Sequence, residues 1–375
     1  MPGNRLWIPI CLAFGPAVSN GIGRFAYALI LPAMRDDLGW SYTQAGWVNT
    51  ANALGYLVGA AAMLRLVSRL GPRRLFDLGM VVTAGSLVAS GLPFPYPVLL
   101  GLRALTGLAG AFAFIGGGAL VAHGAPSSIA LYFAGGGAGI LLTGAGLPWL
   151  FELHGAHAWG QAWIGLGLLS LVLAAPALAA SARVEDVPAP RTRAPWRRRR
   201  FVASLAAYFL FAIGSIVYMT FVVAWMRARG ASAGAVSLVW GALGAAIVAS
   251  PVPWRRMLAR GRGGRPLAAS IAGCAVGAAL PLVDTSLATM LASAVVFGGA
   301  FFIPPAAVTA LARHELPAEA WGSAIATYTF VFGVGQPIGP LLAGAIADAT
   351  GSLHAGLAAA AAALVAAAIA AAAQP

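Results

Sequence analysis

The chain has 375 residues, of which 60% are hydrophobic and only 9% charged, with a mean hydropathy of +0.84. Soluble domains carry about 25% charged residues, so composition alone excludes an ordinary soluble enzyme or binding module. The formal net charge is +13; the basic residues are all arginine, and their placement argues against nucleic-acid binding.

A membrane-crossing helix needs roughly 20 mostly apolar residues. Twelve such runs are predicted, at 7–34, 45–64, 75–92, 97–120, 128–150, 158–181, 202–226, 235–254, 266–283, 287–311, 321–347 and 352–373. Lipid cannot satisfy exposed backbone groups, so each run must be helical. The first run is too long for a signal peptide and lacks a clear cleavage site before Met34; it is read as a retained helix. It contains Arg24, about 15 Å from Met34 at 1.5 Å per residue, with Tyr27 three positions on. A charge at mid-membrane costs roughly 2.5–3.5 kcal/mol on insertion scales, and such residues face the bundle interior by default. The second run places Asn49, Asn52 and Tyr56 at i, i+3 and i+7 on one face. Those groups bond either substrate and water or neighbouring helices. The fourth run contains Arg103 and ends near His123. In the fifth, Gly135 to Gly137 follow no soluble strand and precede no phosphate-binding helix; they are read as close helix packing.

His154 and His157 lie near Glu152 without a recognised metal spacing. Cys11 and Cys274 sit in apolar runs with no partner nearby, so no disulfide framework, metal or cofactor is expected. Residues 181–200, "SARVEDVPAPRTRAPWRRRR", form the one long connection and read as a flexible linker. Pro304 and Pro305 permit bending in the tenth run, and His314 follows it as a solvated terminal histidine. The eleventh run carries Tyr328 and Gln336, eight apart and roughly on one face, inside "GVGQPIGP". The twelfth, rich in alanine, reads as a supporting helix.

Arginine sets the orientation. With a cytoplasmic N-terminus, 18 arginines fall in cytoplasmic segments, 3 (Arg35, Arg227, Arg229) in outer loops, and Arg24 and Arg103 inside spans. That bias is the positive-inside pattern. It explains the basic charge as topology and puts both termini in the cytoplasm of a cell (inner) membrane protein. All ten carboxylates lie at span ends or in loops, so none matches the depth of Arg24. Its charge is answered by carbonyls, water, polar side chains or an anionic substrate.

The halves repeat. A shift of 196 lays "SSIALYFAGGGAG" on "SAIATYTFVFGVG", matching Ser127 with Ser323, Tyr132 with Tyr328, Gly137 with Gly333 and Gly139 with Gly335, and pairing Glu152 with Asp348. A weaker echo, at a shift of 192, sets Met34-Arg35 against Met226-Arg227. A duplicated six-helix unit predicts two pseudo-symmetric bundles with a path between them near the midplane: residues 1–181, the basic linker 182–200, and residues 201–375.

Twelve spans, a basic central linker and a 6+6 repeat resemble the major facilitator superfamily of secondary transporters. "DLGWSYTQAGWVNTANALGYLVGA" is similar to its first loop and second helix, and "RALTGLAGA" from Arg103 to its fourth-helix pattern. "SRLGPRR", Ser68 to Arg74, resembles its loop between helices two and three, but Ser68 stands where that loop has an aspartate and Leu64 where it has its leading glycine. The latch that this acid supplies in the superfamily is therefore in doubt. "GIGRFAYALILPAM" and "GVGQPIGPLLAGAIAD" resemble the YbfB/YjiJ branch. The resemblance implies an all-helical membrane fold and transport by alternating access, with coupling to protons or another ion left open.

The reading is a monomeric secondary transporter for a small molecule, with no enzymatic constellation. Cargo would touch Arg24, Tyr27, Asn49, Asn52, Tyr56, Arg103, Tyr328 and Gln336. If both in-span arginines face the cavity, the path is electropositive and favours an organic anion. The alternative is a non-transporting membrane sensor or accessory subunit with the same fold.

Overall fold

The computed structural model describes residues 7–122, 126–184, 196 and 198–375. Among the described residues every regular element is a helix. The first predicted span is a broken path: α1 (Trp7–Leu12), α2 (Phe14–Pro16), a π-helical segment (Ala17–Phe25) and α3 (Tyr27–Leu38). Next come α4 (Tyr42–Ser90), α5 (Tyr96–Val121), α6 (Pro126–His154) and α7 (Trp159–Ser181). The second half holds α8 (Val202–Ala228), α9 (Ala233–Ala249), α10 (Pro251–Arg260), α11 (Arg265–Val283), α12 (Leu287–Phe301), α13 (Ile303–Glu315), α14 (Ala318–Thr350) and α15 (Leu353–Ala372). Most of the central linker and His123 lie outside the described residues.

Nine helices among the described residues are long and apolar enough to cross a membrane, or ten if the pair α9 and α10, bent by 40°, is one span. The predicted count of twelve is recovered only by reading α4 as two legs and the broken first path as one more. α4 shows why. Residues 68–74, predicted as a loop, are helical apart from Gly71, whose φ of 78° and ψ of 156° turn the chain. Only glycine adopts such a φ readily, and Pro72 then starts the return leg, where a missing N–H does no harm.

Local chemistry fixes the other ends. Ser41 Oγ accepts the Gln44 N–H at 3.2 Å while Gln44 Oε1 accepts the Ser41 N–H at 2.9 Å, a reciprocal cap for α4. Ser232, Ser286 and Ser352 cap α9, α12 and α15. All four caps lie at the end of the bundle remote from the linker.

Side chains such as Val172, Leu238, Val276 and Ile369 are exposed, the inverse of a soluble surface and suited to acyl chains. α15 packs against α8 and α11 through buried Ala360, Leu364 and Ala367, remote from α4 and α6.

The halves meet mainly along two helix pairs, α6 with α9 and α4 with α14, with a smaller contact between α3 and α8. The internal repeat exchanges α6 with α14 and the first leg of α4 with α9, so these two contacts are equivalent. Both are tight. A Cβ on Gly137 would lie 2.8 Å from the Gly244 carbonyl oxygen, and one on Gly46 would lie 2.5 Å from that of Pro340. A Cβ on Gly135 would come within 1.9 Å of the Ala13 oxygen, so the glycine run of α6 serves the packing role predicted for it.

Candidate functional site between the halves

The π-helical turn comes first, because it aims Arg24. The Ala26 N–H bonds the Gly21 carbonyl five residues back at 3.0 Å, one residue wider than an α-turn. Single π-turns mark functional sites in many helices; here the segment runs for nine residues. It is pressed against α6: a Cβ on Gly21 would sit 2.5 Å from Gly139 Cα, and one on Gly139 would sit 2.5 Å from the Ala17 oxygen. Gly139→Leu should therefore push the segment out of place. Overpacking of this kind costs about 1–3 kcal/mol, and a lowered unfolding temperature in detergent with broadened size-exclusion profiles would report it.

Arg24 is 5% exposed. Its Nη2 donates to Gln336 Oε1 of α14, across the halves, at 2.8 Å. Its guanidinium carbon lies 5.7 Å from the ring centres of both Phe25 and Tyr56. Its Nε is buried and makes no hydrogen bond. A polar but uncharged side chain thus answers the charge. Beside this pair, Asn49 Nδ2 donates to Thr220 Oγ1 of α8 at 2.5 Å, and Thr50 Oγ1 donates to the Pro337 carbonyl at 2.8 Å. Asn49 Oδ1 is buried without a partner.

The predicted residues fall into three groups. Arg24, Asn49, Tyr56 and Gln336 line the seam between the halves. Tyr27, Asn52 and Arg103 lie inside the first half. Tyr27 donates its hydroxyl to the Ala45 carbonyl at 2.8 Å and stacks on Trp163 at 6.3 Å. Arg103, fully buried, donates from Nη2 to the Gly23 carbonyl at 2.6 Å, and its guanidinium lies 4.5 Å over the Trp163 ring. Asn52 Nδ2 reaches the Arg103 carbonyl at 3.2 Å. Arg103 therefore takes the carbonyl-bonded arrangement and does not share Arg24's seam. The widened turn helps, since it leaves Gly23's carbonyl available. Tyr328 forms the third group: its hydroxyl is 2.5 Å from Ser204 Oγ, and its ring stacks near Trp196 at 6.5 Å, toward the linker. Tyr328 and Gln336 share a helix but not a site.

Two participants were not singled out from sequence. Trp163 carries both Tyr27 and Arg103, and Thr220 answers Asn49. Each sits in an apolar run with no polar spacing around it to mark it.

The hydrogen bonds and ion pairs described between the halves share a direction. Besides those above, they join Tyr42 and Thr43 to Asp348, Ser237 to the Gly144 carbonyl, Trp240 to Thr143 and Arg227 to Glu152. All lie at the level of Arg24 or on its far side from the linker. These described hydrogen bonds and ion pairs thus join the halves toward the linker-distal end.

The family described as the uncharacterised MFS-type transporter YbfB matches residues 16–372. The chain belongs to that family. None of the curated proteins matches it. Among solved structures, the nucleoside transporter NupG aligns with a TM-score of 0.74 at 13% identity, covering 99% of this chain and 98% of its own. A bacterial homologue of the lysosomal transporter Spinster, inward-facing and unoccupied, aligns with a TM-score of 0.69 at 14% identity, covering 93% and 84%. At these identities the likeness is one of fold. This YbfB-type protein is accordingly a multi-pass membrane transporter of major facilitator type and not an enzyme.

Proposed function

We propose that this transporter carries a small organic anion by alternating access, with the Arg24 guanidinium as the charge that recognises it. The observation that carries the reading is that Arg24 is buried at the seam between the halves, bonded across it to neutral Gln336, with its Nε unpartnered. A buried cation without a counter-ion is costly, and an anionic cargo that supplies one binds with that cost already met by the fold. The seam also offers Asn49 Oδ1 as a vacant acceptor, so cargo bearing both an anionic group and a donor suits it best.

NupG is a nucleoside transporter; the lone guanidinium here favours a charged cargo over a neutral nucleoside. The proposed cycle rocks the two halves, residues 1–181 and 201–375, about the seam, with the arginine-rich linker 182–200 on the cytoplasmic face of an inner membrane. The chain works as a monomer in this reading.

The test is a thermal-shift screen of carboxylates, sulfonates, phosphate monoesters, nucleosides and organic cations, repeated with Arg24→Ala, followed by flux of the hits in proteoliposomes. Anions should stabilise the native protein, lose that effect in Arg24→Ala, and move across the membrane. Stabilisation by cations alone, unchanged in Arg24→Ala, would refute the reading. Binding without flux would favour a sensor.

A further inference from the structure

A cavity lies toward the linker-distal end, away from Arg24, where the two halves meet. Its volume is about 230 Å³, below the roughly 300–1,000 Å³ of pockets that take drug-sized ligands. Both halves build it. Phe151 and Val223 supply apolar wall, and Arg35, Asp36 and Arg227 supply the polar part. Arg35 lies in the last turn of α3 and Arg227 in that of α8, and a weaker echo between the halves sets these two arginines against each other. The cavity thus has one guanidinium from each half.

Each arginine is incompletely committed. The Arg35 guanidinium lies 3.9 Å over the Tyr42 ring, a contact that uses its face and leaves its edge, while its Nε is buried without a hydrogen bond. Among the described residues its ion pair is to adjacent Asp36 at 3.5 Å, a mostly exposed carboxylate. Arg227 Nη1 donates to the Ala231 carbonyl at 2.9 Å, and Glu152 stands 3.9 Å away, beyond a direct hydrogen bond. Planar guanidinium edges suit carboxylates, which they bind through paired N–H groups.

We propose that this cavity is a second binding site, for a small carboxylate with an apolar body about the size of benzoate, held between Arg35 and Arg227. The ligand bridges the halves only when this end is closed, so its binding stabilises the closed state. The site is separate from Arg24 and stands without the reading given to that residue.

Benzoate titrations of the detergent-solubilised full chain, followed by thermal shift, test it, with benzyl alcohol and benzylamine as controls. Benzoate should raise the unfolding temperature saturably and the controls should not. Arg35→Gln and Arg227→Gln should each weaken apparent affinity roughly tenfold, and Val223→Trp, which keeps both arginines but fills the wall, should abolish binding. Glu152→Gln changes a half-exposed side chain and releases Arg227, so it should tighten binding. It keeps the test decisive should an arginine variant fail to fold. In an Arg24→Ala background, which removes anion binding at the central site, a saturable benzoate response should persist and should still weaken with Arg35→Gln. Absence of saturable stabilisation, equal effects of benzyl alcohol, or loss of binding in Arg24→Ala but not in Arg35→Gln or Glu152→Gln would overturn the proposal. The last result would place the carboxylate at the central site instead.

Discussion

Replacing Gln336 by glutamate is expected to weaken binding of an anionic cargo at Arg24 by about two orders of magnitude while raising the unfolding temperature of the protein. The change is nearly isosteric at an oxygen already 2.8 Å from Arg24 Nη2. It converts a neutral acceptor into a carboxylate, roughly doubling the strength of that hydrogen bond. The guanidinium is desolvated whether or not it is paired, so an internal counter-ion offsets a cost the native fold already bears. An incoming anion would then have to displace a covalently tethered rival. Close charge pairs couple by about 1.5–7 kcal/mol; at about 3 kcal/mol, affinity and kcat/KM fall roughly 150-fold. Gln336→Ala should behave oppositely. It removes the bond across the seam and lowers stability, yet leaves the Arg24 charge in place, so anion binding survives. Parallel titrations and proteoliposome flux with the best carboxylate separate the two variants. Native-like transport by Gln336→Glu would show that the cargo does not read the Arg24 charge.

This pairing also marks where sequence stops being informative. The absence of any carboxylate at the depth of Arg24 was legible, because ten acids are few enough to place one by one. Gln336 was legible as a polar residue inside an apolar run. Their meeting was not: 312 positions separate them, and no periodicity within either helix records which face turns toward the other half. The same holds inside the first half. The i, i+3, i+7 spacing put Asn49, Asn52 and Tyr56 on one face correctly, but a helical face is wide enough to touch two neighbours. Asn49 and Tyr56 reach the seam while Asn52 turns to the Arg103 carbonyl.

Helix class, the bundle of apolar spans and the duplication followed from composition and repeat, since burial in lipid admits few alternatives. The helical turn at Gly71 did not, because a glycine-proline pair among arginines looks the same whether the chain leaves the helix for one residue or for several. The π-helical segment did not follow from sequence either: at Gly21 and Gly23 the chain widens its turn without leaving the helix, and no spacing in the run marks that.

Asp348→Ala is expected to open the linker-distal end. Asp348 lies near the end of α14, in the second half, yet its two oxygens accept the backbone N–H groups of Tyr42 and Thr43, each at 2.8 Å, in the first turn of α4 in the first half. Those N–H groups have no partner within their own helix, and the helix end carries partial positive charge. One carboxylate therefore caps a helix and holds the halves together. Water replaces part of what is lost at this exposed position. A net loss of about 2–3 kcal/mol, within the range for charged hydrogen bonds, shifts the open-to-closed ratio roughly 30- to 150-fold. A cysteine at Val223, with Cys11 and Cys274 replaced, should react faster with an impermeant maleimide, in the order Asp348→Ala, Asp348→Asn, native. Asparagine falls between because it keeps one acceptor oxygen. Ser232→Ala is the control: it removes a helix cap at the same end of the bundle, where Ser232 Oγ accepts the Ala235 N–H within the second half, so it should lower stability without speeding labelling. Equal rates throughout would show the contact to be idle. Asp348 and Gln336 sit 12 residues apart on one helix, about 18 Å at 1.5 Å per residue. If α14 moves as a rigid rod, releasing either residue loosens the other's hold on the first half. Asp348→Ala and Gln336→Ala should then combine to less than the sum of their separate effects on labelling, whereas strict additivity would mean that α14 bends between them, as Pro337 and Pro340 allow.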